Sequence, residues 1–167
     1  SDVCSSDLDD PNAYILPPPH TAEFIAVNAV TMKIDNRIIL PASCSTPHGM
    51  TINRTQHIAY VACTDFDPQA GLFEHLIRID LTTMQVLPDD PNTTRLAGGS
   101  DLVRIDYSAG LLFVAGSEGI TIFDEKTGEF HRLSEAIIGH ETHTIAIDEQ
   151  TQEMFFPIHS GGLPVLR

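Results

Sequence analysis

Three sixteen-residue segments align without a gap: HGMTINRTQHIAYVAC from His48, DLVRIDYSAGLLFVAG from Asp101 and HTIAIDEQTQEMFFPI from His143. In each, an isoleucine stands four places in (Ile52, Ile105, Ile147) and is followed by Asn53, Asp106 or Asp148. A polar stretch follows, then an aromatic residue twelve places in (Tyr60, Phe113, Phe155). Self-similarity at offsets of 53 and 42 residues restricts the chain to repeat architectures before any local structure is considered.

Within a unit the apolar residues alternate with period two, and the Asn or Asp at the end of the first run favours a turn, because its short side chain bonds the local backbone. Each unit therefore reads as a β-hairpin. A second set of hairpins is spaced between the first: EFIAVNAVTMKID from Glu23, HLIRIDLTTMQVL from His75 and GITIFDEKTGEFHRL from Gly119. In these, Asn28, Asp80 and Asp124 open the turn and Met32, Met84 and Gly128 close it. Two hairpins per period give four strands every 40 to 50 residues, the pattern of a β-propeller blade. One helical turn is expected at most, around Ser134 to Ile138.

Aligning NAYILPP with IAYVACT places Tyr14 on Tyr60 and makes Asn12 to Leu16 the second strand of a first unit. At the other end a third strand falls at Leu163 to Arg167. The expected fold is all-β, with about four consecutive four-stranded blades at 9–43, 44–98, 99–140 and 141–167, the first and last incomplete, in a ring of six to eight blades. Ser1 to Leu8, SDVCSSDL, resembles the in-frame translation of a short-read sequencing adapter at all eight positions. On that reading residues 1–8 are non-native, and the earlier blades of the parent chain are missing upstream.

Composition narrows the partners. Apolar residues make up 42% and charged residues 19%, a globular balance. No apolar run approaches the ~18 residues of a membrane span. Twenty-three acidic residues stand against nine basic ones, a net charge of −14, or −12 without Asp2 and Asp7. Such a surface repels phosphate backbones and anionic lipid, so nucleic acid is not an expected partner.

PHGMTINRTQHIAYVAC followed by HLIRIDLTTMQVL resembles the YVTN family of β-propeller repeats. The likeness rests on Pro47-His48, the pair Tyr60-Val61 and the Ile-Asp-X-X-Thr turn from Ile79 to Thr83, and GGLPVLR looks like a closing blade. Asp101, where the family usually has His, and the longer second unit depart from the pattern. The resemblance implies a propeller and leaves function open, since the family includes scaffolds, surface proteins and some lactone-hydrolysing or redox relatives. The expected setting is extracellular or periplasmic.

His48, Asp101 and His143 share one repeat position at the start of the innermost strands, which would ring one mouth of a central channel. They are the candidate ligand-binding residues for a small molecule or protein; the plainer reading is polar groups facing water. No catalytic residue, metal site or cofactor is expected: G-x-S-x-G and GxxxxGK[ST] are absent, and GHETH from Gly139 has the wrong His spacing for a zinc protease. A binding or scaffold module is therefore the leading expectation. A propeller-based lactone hydrolase or a haem or quinone redox protein is the alternative, with a structural repeat of a surface protein third. TDFDPQAGLFEHL, from Thr64 to Leu76, reads as a solvated insertion in place of a tight turn, and its Asp65, Asp67 and Glu74 lack the Gly and Glu of an EF-hand loop. Symmetric pairing of 48–53 with 58–63 sets Cys63 opposite His48, with Cys44 four residues upstream at the same end. A bridge, which needs Cα atoms within ~7 Å, stays open beside the leading reading of two ordinary buried thiols.

Overall fold

An Asn or Asp at the end of a strand organises five of the hairpin turns, whereas the strands ending at Gly116 and starting at Gly119 are joined through Ser117 and Glu118 between those two glycines. The structure is a computed structural model and describes residues 22–67, 71–90, 93–126, 131–136, 142–158 and 165–166. Asn12 to Leu16, Gly128 and Gly139 to Glu141 lie outside them. The Oδ1 atom of Asn28 accepts from the amides of Val30 and Thr31, both at 2.9 Å. Asn53, Asp80, Asp106 and Asp148 do the same for the amides two and three residues on. Those amides hold the Asp80 and Asp148 carboxyls below the usual carboxylate range.

The residue four positions after each of these Asn or Asp residues has left-handed backbone: Met32, His57, Met84, Gly110 and Gln152, with φ between 54 and 65°. Only Gly110 is free of the steric cost that a side chain incurs there. Met32 is 76% exposed and has little packing to lose. Met32→Gly is therefore expected to raise stability by about 0.5–1 kcal/mol, the left-handed penalty less the entropy of a new glycine, whereas Met32→Val should lower it. Thermal melts of the two variants check this.

Among the described residues the chain forms thirteen strands, all antiparallel, and no helix. β1 (Glu23–Asn28) pairs with β2 (Lys33–Ile39). A four-stranded meander follows: β3 (Thr46–Asn53), β4 (Ile58–Asp67), β5 (Gly71–Asp80) and β6 (Gln85–Val86). A second meander runs through β7 (Ser100–Asp106), β8 (Leu111–Gly116), β9 (Gly119–Asp124) and β10 (His131–Ala136). The last sheet comprises β11 (Ala146–Asp148), β12 (Glu153–Phe155) and β13 (Val165–Leu166).

The aligned segments have one register. Thr51 faces Tyr60, Arg104 faces Phe113 and Ala146 faces Phe155, and the isoleucines at 52, 105 and 147 face residues 59, 112 and 154. Three apolar layers separate the four sheets in chain order. Leu40, Ala59, Val61, Ile77 and Ile79 pack with Phe24 and Ile38 between the first and second sheets. Tyr60, Leu76, Val103, Leu112 and Phe123 fill the space between the second and third. Phe113, Ile120 and Phe156 pack with Ile147 and Met154 between the third and fourth. Each sheet is thus covered by the next, as alternation of apolar side chains on both faces requires. The approaches between sheets are made by the early strands: β3 and β4 meet β7, and β7 meets β11.

Three expectations change. Ser134, Glu135 and Ala136 belong to strand β10, paired with β9, and are not helical, because β9 offers a full edge for pairing. The insertion after Thr64 is a lengthened hairpin: β4 and β5 stay paired as far as Asp67 with Gly71. Cys44 and Cys63, both fully buried, form a disulfide with Cα atoms 4.9 Å apart. A bulge in β3 between Pro47 and Met50 sets Cys63 opposite Pro47, and the turn of chain at Pro41 to Cys44 brings the second sulfur alongside.

Candidate functional site

Two polar groups of the repeat position meet at the surface. Asp101 occupies a bulge of β7, between Ser100, which faces Gly116, and Leu102, which faces Ala115. A bulge turns a side chain away from its usual face. His143, in the irregular segment before β11, directs Nδ1 at the Asp101 carboxylate. Both side chains remain open to solvent, 56% for His143 and 41% for Asp101, so the pair contributes at most about 1 kcal/mol to stability.

His48 lies in the corresponding bulge of β3 and is exposed. The next residue, Gly49, sits directly on the β7 bulge, where an added Cβ would collide with the Asp101 carbonyl. The structure therefore joins Asp101 to His143 and sets the backbone beside His48 against Asp101. Among the described residues no group of three or more His, Cys, Asp and Glu side chains is placed to hold a metal. Gly49→Ala is expected to cost about 1–3 kcal/mol, as overpacking does, and to disturb the Asp101 and His143 resonances in an NMR spectrum.

Two carboxylates tie successive sheets together. Glu125, just past β9 and 7% exposed, accepts from the Tyr60 hydroxyl at 2.7 Å and from the Asn53 amide. Burial, and then Glu125, pushes the Tyr60 phenol far above its ordinary value, so it stays a proton donor. Glu74 on β5 accepts from the amides of Gly99 and Ser100, each at 2.8 Å, and from the Ser100 hydroxyl. Glu74 thus fastens the start of β7 and is engaged in the fold, which weakens any calcium reading of the long hairpin.

A third feature lies on the other face of β5 from Glu74. His75 on β5 is 1% exposed, and neither ring nitrogen has a hydrogen-bond partner among the described residues. It faces Cys63 across the β4–β5 ladder and lines a cavity of 280 Å³. Nearby, Arg78 holds Asp89 with Nε at 2.9 Å and Nη2 at 2.5 Å. Sequence reasoning singled out neither His75 nor Glu125. The signal for His75 was its place in the alternating face Phe73, His75, Ile77, Ile79; Glu125 offered none, as it follows a turn residue in a charged stretch.

Burial lowers the His75 pKa below the ordinary 6.5, with Asp65 acting weakly in the other direction. Below pH 6.5 the unfolded chain gains a proton that the folded imidazole resists, so stability must fall as pH drops through that window and be unaffected by His75 above it. His75→Leu should remove this slope and add about 1–2 kcal/mol at neutral pH, because two unpaired buried nitrogens are replaced by an apolar group. Denaturant melts at pH 5 and 7.5 measure both effects.

Comparison with family models gives no match, and neither does comparison with curated proteins. Among solved structures, a chain of Kuenenia stuttgartiensis hydrazine synthase is similar, with a TM-score of 0.68 and 11% identity over 84% of this chain. The present chain spans 50% of that chain's length. At this identity the likeness establishes a shared fold over that stretch. No helix among the described residues is long and apolar enough to cross a membrane.

Proposed function

We propose that the chain is part of a YVTN-type β-propeller acting as a binding or scaffold module, with the bulged starts of its first strands forming the recognition mouth. The observation that carries the reading is the recurrence of one device: the same repeat position is bulged in β3 and in β7, presents His48 and Asp101, and is met in the next unit by His143 on Asp101. Packing of successive sheets face to face, with contact concentrated at their early strands, supports blades fanned about an axis. The disulfide supports an extracellular or periplasmic setting, since such bridges persist in oxidising compartments.

Four sheets do not close a ring of six to eight. Met50 and Ile52 occupy the register positions of Val103 and Ile105, yet they are 45% and 40% exposed where Val103 and Ile105 are 0% and 8% exposed. Ile25, Val27 and Ile39 are bare on the other face of the first sheet, opposite Phe24 and Ile38, where a further sheet of the ring would cover them.

The test is a screen of the intact protein with lactones and redox dyes, with metal analysis, beside His143→Ala. A binding module shows no turnover. Turnover, or bound metal, that disappears with His143→Ala would instead establish an enzyme built on the same mouth.

A further inference from the structure

The first sheet ends in an open edge. Among the described residues β1 pairs with β2 and with no other strand. The Ala22 carbonyl accepts from the Leu40 amide across that ladder, so by antiparallel alternation the N–H and C=O groups of Glu23, Ile25 and Val27 turn to the open side. Such an edge is a template for a further strand. The part of β3 that this strand would reach is apolar. Met50 and Ile52 are exposed there, whereas Val103 and Ile105, their register equivalents on β7, are buried in one cluster with Tyr60 and Ala62 of β4.

The repeat says what belongs on that edge. The β1–β2 hairpin is the counterpart of β5–β6: Asn28 and Asp80 each hold the amides two and three residues on, and Met32 and Met84 each take left-handed backbone. In the second and third units the neighbouring strand sets its aromatic residue opposite the position two before the turn Asp, Tyr60 facing Arg78 and Phe113 facing Ile122. The position two before Asn28 is Ala26. NAYIL, residues 12–16, repeats the IAYVA that opens β4, and places Tyr14 where β4 has Tyr60. Pro17 has no N–H and would end a ladder there, leaving residues 17–23 for the turn, an ordinary length for a connection. Phe24 packs toward the second sheet, so a strand facing Phe24 and Ala26 directs the matching side chains to the same side.

We propose that the open edge of β1 is a docking site for residues 12–16 of the same chain, which add to it as an antiparallel strand with Tyr14 facing Ala26 and Leu16 facing Phe24. The Tyr14 ring then covers Met50 and Ile52, as Tyr60 packs with Val103 and Ile105 one unit later. Strand addition here is independent of what the mouth binds. The test is NMR on isotope-labelled full chain. Nuclear Overhauser contacts are expected between the α-protons of Tyr14 and Ala26, and from the Tyr14 ring to the methyl groups of Met50 and Ile52. The Ile25 and Val27 amides should exchange at least tenfold more slowly than in a chain carrying Tyr14→Asp and Leu16→Asp. The contacts are read on the unaltered chain, so they decide the matter even if the double variant does not fold. Absence of those contacts, equal exchange in the two chains, or protection that rises with protein concentration, as pairing with a second copy would give, would overturn the proposal.

Discussion

Glu125→Ala is expected to cost about 3 kcal/mol, among the largest single-residue losses in the chain. The Tyr60 hydroxyl and the Asn53 amide both donate to Glu125 in a site where all three residues are less than 8% exposed. Truncation removes the acceptor that two buried donors share, and losing such a bond at a buried group costs about 1–3 kcal/mol. The bonds join β3 and β4 of one sheet to the end of β9 in the next, so the loss falls on the contact between sheets. Glu125→Gln keeps an acceptor oxygen and should cost about 1 kcal/mol. For a chain of this size the alanine variant should melt about 6–12 °C lower. A shift under 2 °C would mean that the carboxylate is not the tie between the sheets.

Opening the disulfide is expected to cost a similar amount by a different route. Cys44 and Cys63 are 19 residues apart in sequence, and closing a loop of that length in the unfolded chain is worth about 3 kcal/mol. The loop holds the last two residues of the linker between the first two sheets, all of β3, the β3–β4 turn and the first part of β4. Cys44→Ser with Cys63→Ser, or dithiothreitol, should lower the unfolding free energy by about 3 kcal/mol in denaturant melts and make residues 40–45 exchange amide protons faster. Dithiothreitol should have no effect on the double variant, which separates loss of the bond from any other action of the reductant.

The sheets were legible in the sequence because each rests on local chemistry. Alternating side chains marked the strands, and an Asn or Asp at 28, 53, 80, 106 or 148 marked the turn that the structure shows. Gap-free alignment placed Tyr60, Phe113 and Phe155 at one register position, where the ladders put them. What was not legible depends on where separate segments meet. The disulfide required the bulge that shifts Cys63 from His48 to Pro47. The length of the β4–β5 hairpin was hidden because polar residues on a protruding strand pair look like those of a loop. Glu125 looks like a solvated charge until Tyr60 and Asn53 of another sheet close over it.

The central claim is that successive sheets fan outward from a shared axis. Thr55 and Ser108 are equivalent positions in the turns between first and second strands, and Thr82 and Lys126 are equivalent in the turns between third and fourth strands. Nitroxide labels placed at each pair through cysteine substitutions give two distances by pulsed electron spin resonance. Fanned sheets make the Thr82 to Lys126 distance clearly the longer of the two. Equal distances, as in a stack of parallel layers, would contradict the propeller geometry.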